Sequence, residues 1–186
     1  MEREERKKDS VKVRTVRHLS VAVAVLLAPG VTVLGSLAAP AGAANVSDCV
    51  SSQLTLAHAR SQGTAGTTYV PIVITNHRST CAIWGVPAIQ PVSGAAHRAL
   101  GPLARNLSMG EMAMRQVIAK GASVSVAFGI VDTGNYPSAT CAARRASGVK
   151  VSLGNFFANR FVGFPLTVCT KIASTTTRLL AKGSQG

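Results

Sequence analysis

Aromatic residues make up only 4% of the 186 positions, and Trp84 is the single tryptophan. A domain this poor in large anchors must lean on aliphatic burial and covalent cross-links. Acidic side chains are nearly as scarce, seven Asp and Glu against 20 Lys and Arg. Neither Asp132 nor Glu111 has a second carboxylate near it in sequence, so paired-carboxylate acid–base chemistry has no local basis. The chain has no Cys-x-x-Cys pair, no Gly-x-Ser-x-Gly elbow, no phosphate-binding glycine loop and no His-Glu-x-x-His helix. Zinc knuckles, thioredoxin-like redox pairs, hydrolase elbows, nucleotide hydrolysis and zinc-protease chemistry therefore lose their usual signatures. Ser147-Gly148-Val149-Lys150 matches Ser-x-x-Lys, but that chemistry places both residues on a helix start, and here Gly and Val lead into a strand pattern. The expectation is a protein that is not an enzyme and carries no cofactor.

Only 15% of residues are charged while 47% are apolar, so a packed core is expected rather than disorder. The N-terminus points to export. Residues 1–18 hold seven basic and four acidic side chains, and a nearly uncharged apolar stretch follows from Leu19 to Ala39. Ala41-Gly42-Ala43 then offers small residues at a signal peptidase site, so residues 1–43 read as a signal peptide removed after Ala43. The competing reading is an uncleaved membrane anchor, since about 20 apolar residues span a bilayer; Pro29-Gly30 in mid-stretch favours removal. No Arg-Arg pair within residues 1–18 suggests twin-arginine export, and Asp48 before Cys49 opposes lipidation. The expected location is extracellular or cell-wall associated, with no stable membrane span after cleavage.

Beyond residue 43 the chain keeps 13 basic and three acidic residues, a net +10. Such a field attracts anionic partners, among them cell-wall polymers, or another envelope protein; its plainer effect is to keep a secreted protein soluble. Arg144, Arg145 and Lys150 form the densest basic cluster and the candidate anion-binding site. No aromatic residues interleave with them, so a specific nucleic-acid site is not indicated.

Four cysteines in an exported domain read as two disulfides. Strand geometry selects their pairing. Residues 53–57 alternate like a half-buried strand and residues 69–75 form the next, so antiparallel pairing brings Cys49 to Cys81. Residues 149–153 and 164–171 form a second hairpin that brings Cys141 to Cys169. Further strands are expected at 82–92, broken by Gly85 and Pro87, and at 98–100, 112–118 and 122–131. Residues 174–180 read as an edge strand and 181–186 as a disordered tail. The pattern is an all-β antiparallel sandwich of about seven to nine strands over residues 44–180.

The stretch Ile74-Thr75-Asn76-His77-Arg78-Ser79-Thr80-Cys81-Ala82-Ile83-Trp84-Gly85-Val86-Pro87 resembles the signature of a secreted actinobacterial family known as domain of unknown function 4232. The resemblance continues through Cys49, Gly66, the turn Lys120-Gly121-Ala122-Ser123 and the two late cysteines, with Val86 and Lys120 replacing the family's usual Tyr and Pro. It implies an exported, immunoglobulin-like β-sandwich with no assigned catalytic residues. Asn76 suits a turn that bonds its own neighbouring backbone, and Trp84 is expected to pack in the core beside the Cys81 bridge.

His58, His77 and His97 fall at strand ends or loops, where solvated imidazoles are ordinary. Met109-Gly110-Glu111-Met112-Ala113-Met114 is the more unusual segment. Met112 and Met114 are expected to face the core of one strand, with Met109 in a loop. The alternative is a secreted copper-binding protein in which Met109, Met112 and Met114, with His97, hold Cu(I) through soft sulfur. The preferred reading is a secreted, non-enzymatic binding or interaction module at the cell envelope. Intact-mass measurement of protein recovered from the medium should place its first residue at Ala44 or Asn45; a retained segment 1–37 would overturn the export reading.

Overall fold

A computed structural model describes residues 45–185; the expected signal peptide, residues 1–43, lies outside the described residues. The regular structure of the described residues is mostly strand: β1 (Leu54–His58), β2 (Gln62–Thr64), β3 (Thr67–Asn76), β4 (Cys81–Ile83), β5 (Ala88–Ser93), β6 (Arg98–Ala99), β7 (Arg105–Asn106), β8 (Gln116–Ile118), β9 (Ser123–Val131), β10 (Ala143–Leu153), β11 (Phe157–Cys169), β12 (Thr175–Thr177) and β13 (Ala181–Lys182). One sheet runs β1-β3-β9-β12-β7, with β2 added to β3 and β13 to β9; a second runs β11-β10-β5-β6; β4 and β8 form a short ladder. The fold is all-β, as expected. Among the described residues thirteen segments stand where seven to nine were anticipated, because several are two- or three-residue pieces cut out by turns.

Alternation explains how the two sheets close on one another. Val70, Ile72 and Ile74 of β3 and Val124, Val126 and Phe128 of β9 are buried at every second position, as are Val149, Val151 and Leu153 of β10. These rows meet Phe164, Leu166 and Val168 of β11 in one apolar cluster. On the outer face, Gly148 and Gly163 stand opposite each other and the Phe161 ring lies across both. A side chain at Gly148 would strike that ring and the Val162 carbonyl.

Both disulfides join the expected cysteines, Cys49–Cys81 and Cys141–Cys169. β1 and β3 pair antiparallel with Leu54 opposite Asn76, and Asp48 forms an isolated parallel bridge with Ala82, so the two flanking cysteines meet. At the other end Ala143 lies opposite Cys169, and Cys141 closes a single helical turn, Ser138–Cys141. The sequence separations of 32 and 28 give about 3 to 4 kcal/mol per bridge in the chain-entropy picture.

Three expectations need correction. Residues 174–180 do not make an edge strand: β12 is buried between β9 and β7, and its pairing with β7 is parallel, a departure from a wholly antiparallel sandwich. The tail is not frayed from residue 181, because β13 pairs with Val124 and Ser125 of β9. The strand expected at 112–118 begins only at Gln116, and the residues before it form a loop.

Asn76 ties the first hairpin to the rest. It is 0% exposed. Its amide donates to the carbonyls of Ser79 (2.8 Å) and Ile118 (3.1 Å), while its Oδ1 accepts from the Arg78 N–H (3.0 Å) and, more weakly, from the buried Gln53 amide (3.4 Å). Replacing Asn76 with Ala strands several buried polar groups at once, and should cost about 3 kcal/mol in urea unfolding under non-reducing conditions. Asn76→Asp should not rescue it, since a carboxylate cannot donate to the two carbonyls. A loss below about 1 kcal/mol would contradict this role.

Candidate functional site

A cleft of about 670 Å³ opens where β11 passes the ends of β1, β3 and β9. β1 runs out at His58, and the chain turns through Ala59, whose N–H donates to the Pro71 carbonyl, leaving Arg60 and Ser61 exposed at the mouth. Val70, Phe164 and Leu166 supply a buried apolar floor. The Phe164 ring is held by an edge contact with Phe128, centroids 6.4 Å apart, and faces the tilted His58 ring at 5.1 Å. Across the mouth, Asp132 is occupied in capping: its carboxylate accepts from the Gly134 N–H at 2.9 Å. Arg60, by contrast, meets no carboxylate; the one ion pair among the described residues is Arg115–Asp48. The cleft therefore combines apolar depth with a cation at its edge that forms no ion pair, although the capped Asp132 carboxylate lines the same cleft.

The predicted basic cluster is less compact than its sequence spacing implies. Arg144, Arg145 and Lys150 all lie on β10, where neighbouring side chains alternate between faces. Arg145 is opposite Thr167 of β11, and Lys150 is opposite Phe161 and Gln90. A register irregularity between Ala146 and Gly148 brings Arg145 and Lys150 to the same outer face, while Arg144 falls on the other. Thr167 lines the cleft, but Arg145 does not; Arg60 is the one cation among the lining residues.

Met109, Met112 and Met114 are exposed, at 80%, 88% and 73%, so Met112 and Met114 do not face the core as expected. The physical reason is that residues 111–115 are not paired in a strand, so alternation does not turn either toward the core. His97 does not join them: its ring stacks on Phe161, centroids 3.7 Å apart, on the four-stranded sheet. His77 bonds the Thr55 hydroxyl. Among the described residues no group of three or more His, Cys, Asp and Glu side chains could hold a metal. Trp84 is half-buried rather than a full core anchor, packed edge-on against Phe156 (4.9 Å) with the Arg115 guanidinium over its ring. It borders a smaller cavity of about 370 Å³ beside Cys49. Ser147 and Lys150 both sit on β10 and not at a helix start, and the Ser147 hydroxyl donates to the Val92 carbonyl.

Sequence reasoning missed the cleft. Its lining comes from segments around residues 60, 70, 131 and 165, none of which carries a local motif. The one signal was Phe164 and Leu166 alternating toward the core beside an exposed Pro165.

A protein-family model described as "Domain of unknown function (DUF4232)" matches residues 49–176. No curated protein and no solved structure matches the chain.

The geometry of β10 makes a testable distinction on a cation-exchange matrix. The double variant Arg145→Gln/Lys150→Gln should elute at clearly lower salt than Arg144→Gln/Arg178→Gln, although both lose two charges. Screening to about 8 Å at physiological ionic strength makes a shared face matter more than net charge. Equal elution would mean that only total charge counts. Both variants should unfold within about 0.5 kcal/mol of the parent.

Proposed function

The chain belongs to the DUF4232 family, a match that covers residues 49–176, and we propose that it is an exported, non-enzymatic binding module at the cell envelope that holds an anionic ligand with an apolar portion. We read its sandwich as immunoglobulin-like and its source as an actinobacterial cell. The observation that carries the reading is the cleft, with Val70, Phe164 and Leu166 beneath and Arg60, in no ion pair, at its mouth. Burial of the ligand's apolar part on that floor supplies non-directional affinity, and Arg60 orients the anionic end. The net +10 beyond residue 43 concentrates anions around the whole domain before any specific contact forms. Two disulfides that use all four cysteines suit an oxidising compartment. No helix among the described residues is long and apolar enough to cross a membrane.

Two fluorescent probes test the cleft. Anilinonaphthalene sulfonate carries an apolar ring system and an anion; N-phenylnaphthylamine has a related ring system without the charge. Arg60→Gln should weaken the sulfonate several-fold and leave the neutral probe unchanged. Thr68→Trp, at an exposed lining position, should block both while the thermal midpoint holds. Probe binding insensitive to both substitutions would overturn the assignment of the cleft.

A further inference from the structure

We propose that the loop between β7 and β8 is a soft-metal site that takes one Cu(I) through the thioethers of Met109, Met112 and Met114. Every methionine after Met1 lies within these six residues. All three are exposed, so the usual use of methionine as an adaptable core filler does not apply. Holding three apolar side chains in water gains nothing from burial. Sulfur chemistry accounts for the choice of residue where packing does not.

The loop is fastened at both ends. On one side, the Leu107 N–H donates to the Thr177 carbonyl, the Ser108 N–H donates to Asn106 Oδ1 (2.8 Å), and the buried Ser108 hydroxyl accepts from the Leu179 N–H. On the other, Arg115 reaches Asp48 at 2.6 Å and lies over Trp84 before β8 begins. Between the anchors the Glu111 N–H closes a turn onto the Ser108 carbonyl (3.2 Å), and Gly110 takes the positive φ of 86° that this turn requires. The turn reverses the chain between Met109 and Met112. Met112 and Met114 are two residues apart, so their Cα atoms lie within about 7 Å of each other. Three flexible thioethers displayed from one short, anchored loop can thus converge on a single ion.

The ligand chemistry selects the metal. Both disulfides consume all four cysteines, leaving methionine as the soft donor. Thioethers prefer Cu(I) over hard or borderline divalent ions. They are neutral and need no deprotonation, so binding should persist from mildly acidic to neutral pH. Glu111 sits inside the loop as a local countercharge in a domain whose overall field repels cations. The site is separate from the cleft and stands independently of it.

The full oxidised, secreted protein should be titrated anaerobically with Cu(I) against a chromophoric Cu(I) chelator. The expected result is one Cu(I) per chain, with only sulfur scatterers in the first shell by X-ray absorption. Zn(II) should not be retained. The triple variant Met109→Leu/Met112→Leu/Met114→Leu keeps the exposed apolar surface and should keep the thermal midpoint, yet lose the stoichiometric ion. Peroxide conversion of the three thioethers to sulfoxides should have the same effect, and His97→Ala should have none. Unchanged copper retention in the triple Leu variant would overturn the proposal. So would an absence of stoichiometric Cu(I) in the parent, particularly if parent and Leu variant self-associate alike, which would make the loop an apolar docking surface instead.

Discussion

The side chain of Asn76 is the constraint on which the first half of the sandwich depends. It stands at the end of β3, where backbone bonds from Asn76 N–H to Ala122 and from Gly121 N–H back to Asn76 already hold the β9 side. Its side chain then secures the turn into β4 and the carbonyl of Ile118 in β8. A hydrocarbon side chain would fill the space and leave these groups unpaired in the interior, where each costs more than a bond made in water returns. Fixing this turn places Cys81 opposite Cys49, and the bridge closes the N-terminal segment onto the β4 ladder. The Thr-Asn-to-Cys stretch behind the family resemblance is therefore explained by structure: it builds a corner.

The opposite end is held differently. The long β10–β11 hairpin carries its own bridge at Cys141–Cys169. Its bulge near Ser147 and the paired Gly148 and Gly163 leave room for the Phe161 ring on the outer face. With both ends tied down, the edge where β11 passes β1 is not closed by a hydrogen-bonded ladder. The cleft opens there, flanked by the two sheets whose packing shapes its floor.

The disulfide pairing was legible because it follows from adjacent strands, and adjacency along the chain translates directly into antiparallel neighbours. The core rows of β3, β9 and β10 were legible for a related reason: alternation with period two is local. What failed was whatever required knowing which segments pair. Met112 and Met114 alternate as a strand would, yet without a partner ladder before Gln116 they face water. Thr175–Thr177 reads as a polar edge, yet β9 and β7 enclose it and the Thr177 hydroxyl finds the Pro87 carbonyl. Arg144 and Arg145 are nearest neighbours in sequence, and the strand separates their side chains for that very reason. The cleft lay furthest from reach, since His58, Arg60, Asp132 and Phe164 come from distant parts of the chain.

Charge gives the two proposed sites different physical dependences. At the cleft, Arg60 lies at the edge of solvent, where added salt screens it, and only the apolar contribution from Val70, Phe164 and Leu166 persists. At the methionine loop, the proposed donor atoms are uncharged thioether sulfurs. The surrounding positive field opposes cation approach at low salt, so screening relieves the repulsion without weakening the metal–sulfur contacts. In a strongly basic domain, neutral soft ligands give a cation a bond whose strength does not depend on opposite charge. In that respect the scarcity of Asp and Glu and the concentration of methionine in one exposed loop form a single chemical pattern.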